Sequence, residues 1–495
     1  MRKLLIFSNF VVSNKKKVHT MSKRKNTNFL SEIGTFFQKD SDSAIQAIIR
    51  AVKAMRLTSK LPTLETKHNA SVETTEKLLT LLLLPFFGCK DASHLRTSPA
   101  GKWFAAGYNM LYRLMRENAI DWRRVVSLVS NRAGKYVDGN CERREGAVRC
   151  LVADDTDMAK SGMRIEKIGK IYSHTLHRHI LGFKGLLLGI ADGVSFRPLD
   201  FSLHCEAGRS GSQGLTAKQR KARKTTDPDE GTPASARHGE CFKSKIAKLV
   251  EMVRKANKDG VAFDYLLIDS WFLCQEVVDS VAGLGRHVIG MLKSNRNVFD
   301  VDGEKLKTGQ IVGRHRKDSR RCRKYHCEYI VANTDLGGVH VRLFLCRRTK
   351  SDGWKCLLAT DTSLSFTRAY EIYAMRWSIE VCFKECKQYL NLEGCQAQYF
   401  NSQIAHVSIC LMQYTLLSIV KRMTSYETLG GLFRGTNADT VEITLYERIL
   451  LVLRELLEEF ANYIGFPNKG TVQKFLSDTG LIDKIRKSQC LRLCP

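Results

Sequence analysis

The chain is 495 residues long, 43% hydrophobic, and carries 79 Lys and Arg against 50 Asp and Glu, a formal net charge of +29. That length exceeds what one small core serves and calls for about two to four domains. The charge, with a pI near 9.6, sets a polyanionic partner, nucleic acid ahead of an anionic membrane, against the plainer reading of a soluble basic protein. Sixteen scattered cysteines with no CxxC pair exclude a dense disulfide framework and fit a reducing, cytoplasmic compartment. The pairs Cys382 with Cys386 and Cys490 with Cys494 lack nearby histidines and read as helix-face and tail thiols.

Residues 1–42 open with MRKLLIFSNFVV and three lysines, which imitates a short signal sequence without a small-residue cleavage site. They read as a basic, disordered leader, with Met21 as an alternative start. Residues 43–147 carry helical patterns: SAIQAIIRAVKAM, then SVETTEKLLTLLLL opening at Ser71. Ser98-Pro99 begins a further helix bearing Trp103, Phe104, Tyr108, Leu111, Tyr112 and Met115, and another runs from Asp121 through Trp122 to Val129. This region is either a DNA-binding module or a helical cap. Leu78 to Phe87 is too short for a bilayer and is interrupted by Pro85, so no membrane span is expected.

At Val148 the pattern changes to strands. RCLVADDT is an apolar run ending in acids, while Leu186 to Asp192 and Leu199 to Glu206 form a hairpin around GVSFRP. Gly208 to Glu240 reads as a flexible basic insertion whose KQRKARK stretch, Lys218 to Lys224, is a solvated or a phosphate-tracking loop. The amphipathic KSKIAKLVEMVRKA, the strand DYLLIDSWF, a helix from Glu276 to Ala282 and the strand HVIGMLKS then predict a parallel portion of sheet. Residues 298–362 are β-rich and include the densest basic cluster, Arg314 to Lys324. Apolar helices follow at Ile404 to Val420 and Leu445 to Ile464, within a helical C-terminal region spanning 401–495.

Between them lies YAMRWSIEVCFKECK. It sets Tyr373, Arg376, Glu380 and Lys387 near one helical face, with Ile372, Met375, Ile379, Cys382 and Phe383 toward a core. A charged outer face explains that spacing too. The sharper reading needs other acids. Asp155 and Asp269 each follow an apolar run, and two neighbouring strands would bring both to one sheet edge, with Glu380 as a third carboxylate. Such a set holds two divalent ions about 3.5–4 Å apart for phosphodiester chemistry, and oxygen ligands favour magnesium or manganese over zinc. Alternation sends Asp154 and Asp155 to opposite sides, so only one of them reaches the ions. Asp157 and Asp192 read as turn residues. His174, His177 and His179 fit neither one helix face nor one strand face, and there is no GxSxG elbow, Walker A loop or GxGxxG.

Together ADDTDMAKSG, LLIDSWF and YAMRWSIEVCFKECK resemble the insertion-sequence DDE transposases of the IS-four type, whose pattern Y-(2)-R-(3)-E-(6)-K is met at Tyr373, Arg376, Glu380 and Lys387. The resemblance spans Val148 to about Gly394. It implies an α/β fold: a ribonuclease-H-like catalytic core at 148–297 and 363–400, split by the β-rich insertion 298–362 and flanked by helical N- and C-terminal regions. It also implies a metal-binding catalytic triad of Asp155, Asp269 and Glu380, because the family's ligand is the Asp immediately before Thr. Tyr373, Arg376 and Lys387 match positions that contact DNA. The implied reaction is magnesium- or manganese-dependent cleavage and strand transfer at terminal inverted repeats, by a homodimer on DNA that also engages target DNA. A nuclease of the same core without strand transfer, and a non-catalytic DNA-binding descendant, are the competing readings.

Overall fold

The computed structural model describes residues 43–61, 72–98, 101, 104–143, 145–205, 214–293, 298–301, 303–441, 444, 452 and 456. The leader 1–42, Ser71, Pro99, Trp103, residues 208–213 of the basic insertion, all but two residues of the helix expected from Leu445 to Ile464, and Cys490 and Cys494 lie outside them. In chain order, α1 (Ala44–Ala54), α2 (Leu57–Lys60) and α3 (Thr74–Leu83) precede two 3-10 turns, Leu84–Phe87 and Ala92–Arg96. Next come α4 (Tyr108–Arg116) and α5 (Trp122–Asn140). Strands β1 (Cys150–Ala159), β2 (Gly169–Ser173), β3 (Arg178–Ala191) and β4 (Phe196–His204) follow, then α6 (Ala217–Ala222), α7 (Pro233–Glu240) and α8 (Lys245–Lys258). After β5 (Tyr265–Ile268), α9 (Gln275–Ala282) and β6 (His287–Leu292) come β7 (Val298–Val301), β8 (Glu304–Lys307) and α10 (Thr308–Arg314). The last elements are β9 (Arg320–Cys322), β10 (Cys327–Leu336), β11 (Val339–Arg347), β12 (Lys355–Ala359), α11 (Phe366–Ala374), α12 (Trp377–Tyr389) and α13 (Phe400–Met423).

These elements form two compact units. The first comprises the described residues within 1–50, 67–111 and 431–495. Its leucine-rich α3 stops where Pro85, at the start of the following 3-10 turn, cannot continue an α-helical ladder, and Gly88 closes that turn at φ +70°. Asp439 receives the Ser43 hydroxyl at 2.7 Å and the Ile45 amide at 3.0 Å, satisfying an otherwise orphaned donor at the start of α1. Phe86 packs edge-on against Phe433, and Phe87 against Phe104.

The second unit, residues 51–66 and 112–430, is built on one sheet of order β2-β3-β1-β5-β6-β12-β11-β10-β7-β8, with β4 also paired to β3 and β9 to β10. Only β1-β5 and β5-β6 are parallel, which the helical crossovers α6 to α8 and α9 permit. The expected hairpin is present: Asp192 accepts the Val194 and Ser195 amides between β3 and β4. A bulge shifts the register between Leu188 and Gly189, opposite Pro198, which has no amide hydrogen to place in a ladder. There a Cβ on Gly189 would stand 2.2 Å from the Phe196 ring. The β-rich segment continues the same sheet, because β12 pairs antiparallel with β6.

One sheet face buries Leu151, Ala153, Leu186 and Leu188 beneath the apolar side of α8, including Leu249 and Val253. The other face is covered by α5, α12 and α13, where Phe183 meets Phe400 and Phe196 meets Tyr414. By length and composition α13 could cross a membrane, yet 94% of its most apolar window is buried in the protein. It is apolar on all sides because protein surrounds it.

The segment expected as a flexible basic loop, 208–240, holds two helices where it is described. A Thr216–Gln219 capping box starts α6, and Thr232 with Pro233 starts α7. Arg237 of α7 is buried and bonded to Glu240 and to the Phe201 carbonyl. Arg123 and Lys248 join the same carboxylate, so α5, β4, α7 and α8 share one ionic cluster. Cysteines of the described residues are free thiols, and Cys382 and Cys386 face the core 3.9 Å apart.

Candidate active site

Parallel pairing of β1 with β5 runs from Cys150 opposite Tyr265 to Ala153 opposite Ile268. The next residues are Asp154 and Asp269. Strand β5 ends there because the Asp269 carboxylate turns the chain, accepting the Trp271 amide at 2.9 Å and the Phe272 amide at 3.2 Å. Strand β1 does not end: it continues beside β3 to Ala159, so the acids expected at a strand end stand mid-strand, where their parallel neighbour stops.

Alternation along β1 separates the two adjacent acids. Asp154 points toward α12, where its Oδ2 accepts Arg376 Nη1 at 2.9 Å while its Oδ1 accepts the Asp155 amide at 2.8 Å. The other nitrogen of the fork, Nη2, donates to Glu380 Oε1. Asp155, selected by the family resemblance, lies on the opposite face and is ion-paired to Lys245 of α8, whose ammonium also sits 4.0 Å from the centre of the Trp271 ring. The structure thus sets Asp154 beside Asp269, links Asp154 through Arg376 to Glu380, and turns Asp155 away.

Burial, reinforced by the charge of Asp269, pushes the Asp154 carboxyl up to about 7 despite the Asp155 amide and Arg376. Burial also pushes the Tyr373 phenol up to about 12, with the Arg376 guanidinium 5.9 Å from its ring centre. For Arg376 burial works against the charged form, yet Tyr373, Glu380 and Asp154 hold its guanidinium above its ordinary value. Lys387 donates to the Asp157 carbonyl at 2.8 Å and pairs with Glu393, tying the end of α12 to β1.

The expected single helix over Tyr373 to Lys387 narrows near its start. Amides of Met375, Arg376, Ser378 and Ile379 bond three residues back, to Ile372, Tyr373, Met375 and Arg376, so a 3-10 step joins α11 to α12. That step sets Arg376 at the N-cap of α12, with Glu380 in its first turn. Of the other candidates, Asp157 pairs with Lys184 in β3, Asp192 makes the hairpin turn, and His174 and His179 flank the Tyr172 ring.

Among the described residues no three carboxylate, imidazole or thiolate groups converge on one point. The donor set still fits a divalent cation in its chemistry: its groups are carboxylate oxygens, with Asp154 beside Asp269. Sequence reasoning left one of Asp154 and Asp155 to reach the ions and took Asp155 on the family resemblance; it passed over Lys245. A signal for Asp154 was present, since CLVA before Asp154 and YLLI before Asp269 are equal apolar runs that align the two acids.

The fold and site define a mixed α/β chain with a central mixed sheet and flanking helices, consistent with a DDE nuclease. Residues 99–334, just under half the chain, match the family described as DDE superfamily endonuclease. This match supports a DDE transposase-like family with DNA as substrate and divalent metal as its usual cofactor; it contains Asp154, Asp155 and Asp269 and ends before Glu380. No match is found among curated proteins.

Proposed function

We propose that the chain is a DDE transposase that cleaves and joins DNA at the terminal inverted repeats of an insertion sequence. The observation that carries this reading is the placement of Asp154 and Asp269 each one residue past the last pair of the parallel β1–β5 ladder, with Glu380 linked to Asp154 through Arg376. Strand order β4-β3-β1-β5-β6, antiparallel through β1 and parallel beyond it, supports a ribonuclease-H-like core. Asp154, Asp269 and Glu380 would hold magnesium or manganese; Asp155 serves the opposite face. When bound, the metal activates an attacking oxygen and stabilises the leaving oxygen of the phosphodiester. Arg376 carries a planar fork suited to phosphate, and Tyr373 on α11 and Lys387 on α12 are the further candidates for neighbouring phosphate oxygens. Two element ends call for a homodimer on DNA, one site acting at each end.

The test mixes purified protein with duplex DNA from both flanks of its gene, with and without magnesium, and resolves products under denaturing conditions. Metal-dependent cuts at two inverted ends, followed by joining to a second duplex, are expected and should vanish in Asp154→Ala and Glu380→Ala. Cutting without joining would reduce the reading to a nuclease. Binding with no cut under any metal would end it.

A further inference from the structure

The cation already sitting among the acids belongs to the chain itself. Arg376 spans Asp154 Oδ2 at 2.9 Å and Glu380 Oε1, and its side chain is only 16% exposed. Both Asp154 oxygens are already engaged, since its Oδ1 accepts the Asp155 amide. A divalent ion bound to Asp154 and Glu380 would meet the guanidinium at close range, with the repulsion only partly screened because Asp154 and Arg376 are mostly buried. Arg376 is also the basic group of the site best shaped to grip phosphate, but while Nη1 and Nη2 each serve a carboxylate the pair cannot make the parallel two-bond grip on a phosphate.

We infer that Arg376 is an internal countercharge that competes with the divalent metal for Asp154 and Glu380, and that its release by metal frees it for a DNA phosphate. The inference rests on the metal-site reading above. By linkage, DNA and metal then strengthen each other's binding by the same factor, while the metal-free, DNA-free chain keeps its acids neutralised and its site closed to stray ions.

The experiment is titration of the full chain with manganese chloride, followed by calorimetry, with and without a short mixed-sequence duplex. Arg376→Gln should bind manganese about tenfold more tightly than the wild type, and the duplex should tighten manganese binding in the wild type but not in the variant. Equal or weaker affinity in Arg376→Gln overturns the inference. Arg376→Lys, which keeps a charge but cannot span both carboxylates, should fall between the two; should Arg376→Gln fail to fold, wild-type affinity in Arg376→Lys overturns the inference in the same way. A double variant, Arg376→Gln with Glu380→Gln, separates the two ideas. Loss of its tight manganese binding supports the countercharge at this site, whereas unchanged tight binding places the metal elsewhere and sinks the site reading with it.

Discussion

Asp154 lies one residue beyond the Ala153–Ile268 pair of the parallel β1–β5 ladder, so its in-register neighbour is Asp269. Asp155 faces the other way, to Lys245. If Asp154 is the ligand, Asp154→Asn should lower metal-dependent DNA cleavage by more than about a hundredfold, because even outer partners of a metal site are worth roughly 10–100-fold. Asp155→Asn breaks an ion pair to Lys245 on the opposite sheet face, its two side chains 18% and 23% exposed, and should leave cleavage within about tenfold of the wild type. Initial rates for both variants decide the matter, and the reverse ranking would return the role to Asp155.

Glu240 is 3% exposed and takes bonds of 2.8 Å from Arg123, Arg237 and Lys248. Burial alone would raise its carboxyl, but the three cations hold it at about 2, against an ordinary 4.5. A folded value below the unfolded one means that the stabilisation is fully present above pH 4.5 and disappears as pH falls toward 2. Its size is about 3 kcal/mol. Glu240→Gln should therefore lose about that much in urea unfolding at neutral pH, with the gap to the wild type closing under acid. A gap unchanged from neutral to acid pH would show that the ion cluster is not its source.

At the β3–β4 bulge, Gly189→Ala would drive a methyl group to 2.2 Å from the Phe196 ring and 3.0 Å from the Arg197 carbonyl. Overpacking of this kind costs about 1–3 kcal/mol. Thermal melting should register the loss while DNA binding by folded protein is unchanged; a melt equal to that of the wild type would mean that the strands separate there at little cost.

Much of the sheet was legible because its strands are unusually apolar. LLLGIAD, LDFSLHCE and YLLID each mark a strand that the fold buries, and the alternation of strand and helix after Lys245 marks the parallel pairs. The choice between Asp154 and Asp155 was not settled by periodicity. Residues Cys150 to Ala153 are buried on both faces, which erases the contrast that tells one side from the other. The helices of 214–240 were hidden by composition: α6 has no buried side chain, and α7 buries Arg237, His238 and Glu240, whose partners come from distant segments. Likewise the tightened step at Met375–Arg376 leaves no mark in residue spacing, yet it places the N-cap of α12 at Arg376.

The pairing of β12 with β6 has a consequence for how this gene could be shortened. Excising 298–362 would leave β6 as a bare edge, a row of unmatched amides and carbonyls flanked by Val288 and Ile289. Such an edge invites the same strand of another copy. The segment between the second and third acids is therefore also the hem of the sheet, and a chain trimmed of it would be expected to precipitate before its chemistry could be asked about.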